Sequence, residues 1–195
     1  MDDDAGIAAV RFARSEVMSE ACGEAPRPFP EGPAFSEMRG AFVTLDAYPD
    51  MTLRGCIGYP YPVMPLEEAI SRSARGACHD PRFLALSAEE ASNVVVEVTV
   101  LTTPRLMDAE SPDGIMGAVR IGRDGLMLEY NGYRGLLLPQ VPEEMGWGVK
   151  EYLQGLSRKA GLPPDAWSRP RARLYSFEGE VFHEKAPFGE VERRA

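Results

Sequence analysis

Cys56, with glycines at positions 55 and 58, is the residue of this sequence best suited to chemistry. It lies in Leu53–Gly58, a segment that predicts a β-strand, and the two-residue period of a strand places Arg54 and Cys56 on one face. A guanidinium near a thiol favours the thiolate, which is the form that attacks electrophiles, exchanges disulfides and binds metals. The same residue types also fit an inert, buried cysteine, with Gly55 and Gly58 serving a bulge or the close approach of a ligand or backbone.

Asp80, Arg82 and Glu97 are the charged residues that would complete such a site. In one interpretation Arg54 and Arg82 together hold a carboxylate or a phosphate, because a guanidinium binds either group bidentately, and Glu97 is the acid of this clamp. In the other, Asp80 caps or turns the chain, Arg82 pairs with a carboxylate such as Glu97, and Glu97 is the outward residue of an edge strand. Gln140 is a further candidate for ligand contact, or else it anchors its own loop.

The adjacent residues Cys78 and His79 raise the questions of metal binding and of thiol activation. His79 is a candidate base for Cys56, because imidazole is the usual activator of a nucleophilic thiol. Cys56, Cys78 and His79 could ligate zinc or iron, but an adjacent Cys-His pair is poor chelate spacing and a fourth ligand is missing. The sequence therefore predicts no metal site and no cofactor.

Helices and hairpins are the elements that would position these residues. Apolar residues at helical spacing predict three helices, over residues 5–22, Leu66–Ala77 and Val149–Ala160, the last closed by Gly161. Turn residues between apolar runs predict three hairpin regions, namely Ala41–Leu45 with Thr52–Ile57, a meander over residues 117–138 with turns at Asp124-Gly125 and Asn131-Gly132, and Arg173–Phe177 with Glu180–His183. A capping box at Ser87–Glu90 and a strand over Val94–Leu101 complete the pattern.

The arrangement of these elements defines the fold class. Because the strands cluster in hairpins and do not alternate regularly with helices, the class is α+β, a largely antiparallel sheet with helices packed against it. A length of 195 residues favours a single two-lobed domain over residues 1–195. The tail after Pro187 is predicted to fray.

Composition excludes several classes of protein. A net charge of −9 argues against a dedicated nucleic-acid binder. No apolar run approaches the roughly 20 residues that span a bilayer, and the start Asp2-Asp3-Asp4 is the opposite of a basic secretory signal. The three cysteines have no Cys-x-x-Cys spacing, which indicates reduced thiols. We therefore predict a soluble, cytoplasmic protein without membrane association.

The arginines are unevenly distributed along this acidic chain. Residues 52–83 hold four arginines against three acids, whereas residues 1–39 hold four arginines against eight acids. Residues 52–83 are therefore locally cationic and are predicted to attract a small anion, unless their arginines are simply solvated surface residues.

The sequence LRGCIG at Leu53–Gly58 resembles the signature hexapeptide of the AMMECR family, which is widespread in archaea. The likeness extends in order over residues 40–183, through Asp80–Phe83, Glu97–Thr102, Gly135–Val141 and Lys159–Leu162. It implies an α+β protein with a larger and a smaller lobe, grouped with sheets that bind nucleotides, nucleic acids or peptides. It also implies partners, since relatives often occur beside, or fused to, Memo-type proteins and radical-SAM enzymes, but it brings no established reaction.

Two functional hypotheses follow. In the first, the protein is a Cys-centred enzyme or accessory subunit that acts with Memo-type and radical-SAM proteins, with Cys56 as reactive thiol and Arg54 and Arg82 on an anionic group. In the second, it is a non-catalytic ligand-, nucleotide- or peptide-binding module in which the hexapeptide shapes a groove. The family pattern begins at Asp80, so a mechanism through His79 would belong to this chain alone. Ser157 stands where relatives often carry a cysteine, which argues against a two-cysteine redox mechanism.

Overall fold

The computed structural model describes residues 1–108 and 111–194, which divide into two compact units. The first unit comprises Met1–Leu101 and the C-terminal segment that begins at Glu180, and the second comprises Thr102–Gly179. Each unit has its own sheet and its own buried apolar cluster. The predicted α+β class is confirmed. That the two units form a single domain stays a prediction.

The described residues contain seven α-helices, one 3₁₀ turn and nine strands. In chain order the helices are α1 (Asp3–Cys22), α2 (Pro33–Ser36), α3 (Leu66–Ala77), α4 (Ala88–Ala91), α5 (Pro112–Ala118), α6 (Val141–Met145) and α7 (Val149–Lys159), and the 3₁₀ turn is Ala166–Ser168. The strands are β1 (Ala41–Ala47), β2 (Thr52–Tyr59), β3 (Val94–Leu101), β4 (Arg105–Leu106), β5 (Gly125–Tyr130), β6 (Tyr133–Leu137), β7 (Arg173–Phe177), β8 (Gly179–Glu184) and β9 (Val191–Arg193).

The first unit is a five-stranded sheet, in the order β2-β1-β3-β8-β9, with α1 and α3 packed on one face. Alternate residues of β1 and β3, including Val43, Leu45, Val96 and Val98, point into the core and are fully buried. The intervening residues of β1 are half-buried and face the other way. Because α1 and α3 cover the apolar face, the polar residues of these strands are confined to the opposite one.

Local sequence signals fix the ends of several elements in this unit. The whole predicted stripe of α3, from Leu66 to Ala77, is buried against the sheet. The capping box before α4 is present in both directions, since Ser87 accepts from the backbone N–H of Glu90 and Glu90 accepts from that of Ser87. The β1–β2 hairpin is also confirmed, with antiparallel register from Ala41↔Tyr59 to Ala47↔Thr52.

Residues 188–194 of the C-terminal tail are ordered, and the prediction that they fray is wrong. Residues of β9 pair antiparallel with β8, and Val191 is buried in the core of the first unit. Arg193 packs over the ring of Phe182 and pairs with Asp3 on α1. The burial of Val191 and the contacts of Arg193 together stabilise this mostly polar segment against the first unit.

The second unit is a four-stranded sheet in the order β4-β7-β5-β6, with α7 packed against β5 and β6. Asn131 and Gly132 form the predicted primed turn between β5 and β6, with φ of 50° and 85°. The predicted cap of α7 is a Schellman motif, in which Gly161 N–H donates to the carbonyl of Arg158 and Leu162 N–H to that of Ser157.

Two predicted hairpins of the C-terminal half are wrong. β7 pairs with β4 and β5 in the second unit, whereas β8 belongs to the sheet of the first, so Glu178 is a crossing point between sheets. At that point Thr102 and Glu178 bond to each other, in place of a hairpin turn. Asp124 likewise makes no strand-to-strand turn, because the element before β5 is the helix α5. The Asp124 carboxylate accepts from the backbone N–H of Arg120 and closes the loop between them.

Candidate functional site

Three polar side chains form a row across the first sheet, on the face opposite α1 and α3. Cys56 on the edge strand β2 lies opposite Thr44 on β1, and Thr44 lies opposite Glu97 on β3. Directly opposed residues of antiparallel strands project from the same face. We call Cys56, Thr44 and Glu97 the polar row. Asp46, two residues beyond Thr44, lies on the same face.

The thiol of Cys56 is half-buried and hydrogen-bonded. Thr44 Oγ1 donates to Cys56 Sγ at 3.3 Å, and the backbone N–H of Cys56 donates to Asp80 Oδ2 at 2.9 Å. Burial raises the pKa of the Cys56 thiol, and the opposing effects of the Thr44 hydrogen bond and the Arg82 charge do not cancel that rise. The thiol is therefore neutral at neutral pH, unlike an activated nucleophile.

Arg54 does not share the face of Cys56, and that prediction is wrong. The β1–β2 register changes from Leu45↔Gly55 to Asp46↔Leu53, which leaves Arg54 as the extra residue of a β-bulge. A bulge breaks the two-residue period and redirects the side chain. Arg54 Nε and Nη2 donate to the carboxylate of Glu90 at 2.8 and 3.0 Å, and Nη2 also donates to the carbonyl of Leu84.

Asp80 is the electrostatic anchor of this region. Its carboxylate is buried and accepts from the Arg82 guanidinium at 3.0 and 2.7 Å, from the Arg82 backbone N–H and from the Cys56 backbone N–H. The Arg82 guanidinium, followed by these backbone donors, holds the pKa of Asp80 well below its usual range. Asp80 thus ties the α3–α4 loop to the free edge of β2.

The predicted pairing of Arg82 with Glu97 is wrong, since Arg82 binds Asp80. The guanidinium carbons of Arg54 and Arg82 both lie near the Phe83 ring, at 5.6 and 5.7 Å from its centre. Each guanidinium is already paired with a carboxylate, and the pKa of Glu90 falls to about 2 through its hydrogen bonds with Arg54 and Ser87. An anion would have to compete with Asp80 and Glu90 for these two arginines.

Gly55 and Gly58 are required by packing within the unit. A Cβ on Gly55 would lie 2.3 Å from the carbonyl oxygen of Ala77, at the end of α3. A Cβ on Gly58 would lie 2.2 Å from the Phe42 ring and 2.6 Å from the Ala41 carbonyl oxygen. The space that these glycines leave is filled by the protein itself, and not by a ligand.

Glu97 lies on a strand between two others, so the prediction of an edge strand is wrong. Its carboxylate is 2.8 Å from the guanidinium of Arg194, and its Oε2 is buried without an aligned hydrogen bond among the described residues. Burial raises the pKa of Glu97, whereas the charge of Arg194 lowers it, and the net effect is a rise. Asp46 behaves similarly, since burial also raises its pKa.

A family model described as AMMECR1 matches residues 10–182. The chain belongs to the AMMECR1 family. Protein MJ0810 of Methanocaldococcus jannaschii is 49% identical over 189 residues, which are 95% of this chain and 93% of that protein. Protein MK0488 of Methanopyrus kandleri is 42% identical, over 95% of this chain and 91% of the relative.

A solved structure of the family has the same fold. The crystal structure of the uncharacterized protein PH0010 from Pyrococcus horikoshii superposes with a TM-score of 0.78 at 41% identity, covering 100% of this chain and 98% of that one. The predicted resemblance to the AMMECR family is thus confirmed. None of the helices in the described residues is long and apolar enough to cross a membrane.

Other predicted site residues lie apart from the polar row. The ring of His79 is exposed and 2.9 Å from Glu20, so no Cys56–His79 dyad forms. Cys78 is buried in the core, where burial raises the pKa of its thiol to about 12. Within residues 1–108 and 111–194, no three His, Cys, Asp or Glu side chains form a group able to hold a metal ion.

Gln140 belongs to the second unit of this AMMECR1-family chain. It precedes α6, and its exposed side chain makes no hydrogen bond to any described residue. Its backbone carbonyl accepts from Glu144 N–H, which fits the anchoring role considered for its loop.

The residues missed in sequence are the partners of Cys56 and Glu97. Thr44, Asp46 and Arg194 reach this face through strand pairing and through the return of the C-terminus. The alternation of Thr44 and Asp46 with buried apolar residues in β1 was the available signal for a polar sheet face.

Proposed function

We propose that this protein is a non-catalytic binding module. The edge strand Leu53–Gly58 shapes the sheet face on which the polar row meets a ligand. The observation that carries the proposal is the state of Cys56: its thiol accepts a hydrogen bond from Thr44, and burial raises its pKa. Arg54 and Arg82 are already bound by Glu90 and Asp80, and the charge of Arg82 does not offset the effect of burial on the thiol.

The chemistry of the polar row indicates the class of ligand. A thiol, a hydroxyl and a carboxyl stand one strand apart, at roughly 4.8 Å intervals. On this face two carboxyl groups, of Asp46 and Glu97, stand against the one guanidinium of Arg194, which is already paired with Glu97, so the row offers a small anion no unpaired positive charge. Groups that exchange hydrogen bonds, such as a nucleobase or a peptide amide, fit the row better than a phosphate does.

The rate of thiol alkylation in the native protein, measured against pH, tests this proposal. We expect Cys56 to react with an apparent pKa above the roughly 8.5 of a free thiol, because burial disfavours its charged form. Thr44→Val should slow the reaction further, since it removes the hydrogen bond that stabilises the thiolate. Mass spectrometry of each cysteine-containing peptide gives the three rates separately.

Two cysteines of the same chain are internal controls. Cys22 is exposed and should react first, whereas Cys78 is buried and should stay silent until the protein unfolds. A Cys56 that reacts ahead of Cys22, with an apparent pKa below that of a free thiol, would overturn the non-catalytic proposal.

A Cys-centred accessory role is the second candidate, favoured by one observation. The Arg82 guanidinium is more than half exposed, and its charge acts on the Cys56 thiol in the direction of thiolate. The family association with Memo-type and radical-SAM proteins supplies the partners for this candidate. It predicts that Cys56→Ala abolishes activity in an assay containing those two proteins while the fold survives. Full activity of the variant would eliminate this candidate.

We further propose a cytoplasmic location. All three cysteines are free thiols in the structure, which suits a reducing compartment. Recovery of the protein from the periplasmic or extracellular fraction of cells would contradict this location.

A further inference from the structure

A cleft of about 400 Å³ lies in the first unit, beside α1. This volume is within the range of roughly 300–1,000 Å³ that small-molecule sites occupy. Its walls combine guanidinium groups with apolar side chains, and all of them belong to the first unit. The lining residues are Arg11, Arg14, Ser15, Met18, Glu24, Ala25, Arg27 and Phe188.

The cleft is lined by three arginines and one acid, Glu24, and a second acid, the buried Glu184, pairs with Arg14 and lies 3.8 Å from Arg11. Arg14 is buried, and its guanidinium is bound by the buried carboxylate of Glu184 and by two backbone carbonyls. Arg14 therefore serves as a fixed wall. Arg27 differs, because its exposed guanidinium makes no hydrogen bond, ion pair or ring contact with any described residue.

Arg11 and Arg14 hold the opposite wall of the cleft, formed by Phe188, in place. Arg11 donates to the carbonyl of Gly189 at 2.6 Å and to that of Phe188 at 3.4 Å. The Arg14 guanidinium lies 4.5 Å from the centre of the Phe188 ring, a cation–π contact. Phe188 also adopts a left-handed backbone conformation, with φ of 58°, and its side chain is half exposed. An aromatic ring is thus fixed at the mouth of a cationic cleft.

We infer that this cleft binds a small organic anion, with its carboxylate or phosphate on Arg27 and Arg11 and its apolar part against Met18 and Phe188. A guanidinium without a partner is available to an anion at no cost in existing contacts. Arg11 lies 3.8 Å from the buried Glu184 carboxylate and donates to the two carbonyls of the Phe188 turn, and its remaining N–H groups are available to an anion. The net charge of −9 repels anions at long range, so the attraction must come from the local excess of arginines in the cleft. This site is separate from the polar row and independent of the function proposed there.

Isothermal titration with inorganic phosphate, phenyl phosphate and benzoate tests the inference on the full chain. Phenyl phosphate is expected to bind several-fold more tightly than inorganic phosphate, because its ring adds apolar contact. Arg27→Ala should weaken binding about tenfold, as expected for the loss of one charge-assisted contact. The relative affinities of phenyl phosphate and benzoate identify which anionic group the cleft prefers.

Arg72→Ala is the matched control, since it removes the same charge from an exposed arginine of the same unit outside the cleft. It should bind phenyl phosphate as the wild type does. Phe188→Ala should abolish the advantage of phenyl phosphate over inorganic phosphate. Absence of binding by all three probes at about 10 mM, or equal losses in the Arg27 and Arg72 variants, would overturn the inference. Neither result would affect the alkylation test at Cys56.

Discussion

Gly55→Ala is expected to lower the free energy of unfolding by about 3 kcal/mol, near the upper end for an overpacked core. The new Cβ would lie 2.3 Å from the carbonyl oxygen of Ala77, which is backbone at the end of α3. No side-chain rotation relieves that contact, so β2 and α3 must move apart. Asp80 follows α3 and binds the N–H of Cys56, and this bond would be strained by the same movement.

Urea unfolding monitored by circular dichroism measures this effect, with Gly117→Ala as the matched control. Gly117 lies within α5 with no atom within 4 Å of its virtual Cβ, and its backbone is not left-handed. Alanine there should stabilise the helix by about 0.5–1 kcal/mol, since it restricts the unfolded chain more than glycine does. If Gly55→Ala unfolded at the wild-type urea concentration, the close packing of β2 on α3 would be refuted.

Asp80→Asn is expected to lower the free energy of unfolding by about 3 kcal/mol, a typical cost of removing one partner of a buried, hydrogen-bonded ion pair. The carboxylate accepts four hydrogen bonds from Arg82 and Cys56, and asparagine offers a single neutral acceptor oxygen. The Arg82 guanidinium is more than half exposed, so water compensates part of its loss. The free edge of β2 and the α3–α4 loop would separate more easily.

The pH dependence of stability should change in the same variant. The pKa of Asp80 in the folded protein lies below its value in the unfolded chain, which is about 3.9. The contribution of the Asp80 carboxylate to the free energy of unfolding is therefore present above this unfolded pKa and is lost as the pH falls through the folded pKa. Glu90, with a folded pKa of about 2, acts in the same direction. Between pH 5 and pH 3 the wild type should lose more stability than Asp80→Asn.

Glu68→Gln is the control for the Asp80 variant, because it also removes a carboxylate paired with an arginine in the first unit. Both Glu68 and Arg72 are about half exposed on α3, so the loss should stay below about 1 kcal/mol. Equal destabilisation by the two variants would show that burial of Asp80 contributes nothing.

Period and capping signals predicted most elements because they act over a few residues. The stripe of α3, the Ser87–Glu90 capping box and the Asn131-Gly132 turn depend on neighbours within one turn or one hairpin. The predicted hairpin around Glu178 failed for the opposite reason, since β7 and β8 each pair with strands distant in sequence. Turn residues show where the chain can bend, but pairing depends on which strand edge is available.

The candidate site shows the same division. The sequence singled out Leu53–Gly58, Asp80 and Arg82, and the structure joins them through the hydrogen bond from Cys56 N–H to Asp80. It did not reveal the bulge at Arg54, because one extra residue reverses a face without changing composition. The prediction of an activated thiolate depended on Arg54 and Cys56 lying on the same face of β2. Two tertiary properties contradict that prediction, since burial raises the pKa of the Cys56 thiol and Arg54 pairs with Glu90.

By itself, the sequence determined the family, the α+β class and the segment on which the candidate site is built. Tertiary structure alone decided the charges that each side chain meets. Residues 1–39 are acidic as a stretch, yet helix geometry and the return of the C-terminus bring Arg11, Arg14 and Arg27 together in one cleft. Coulomb energy depends on distance in space and on burial, and neither quantity follows from position along the chain.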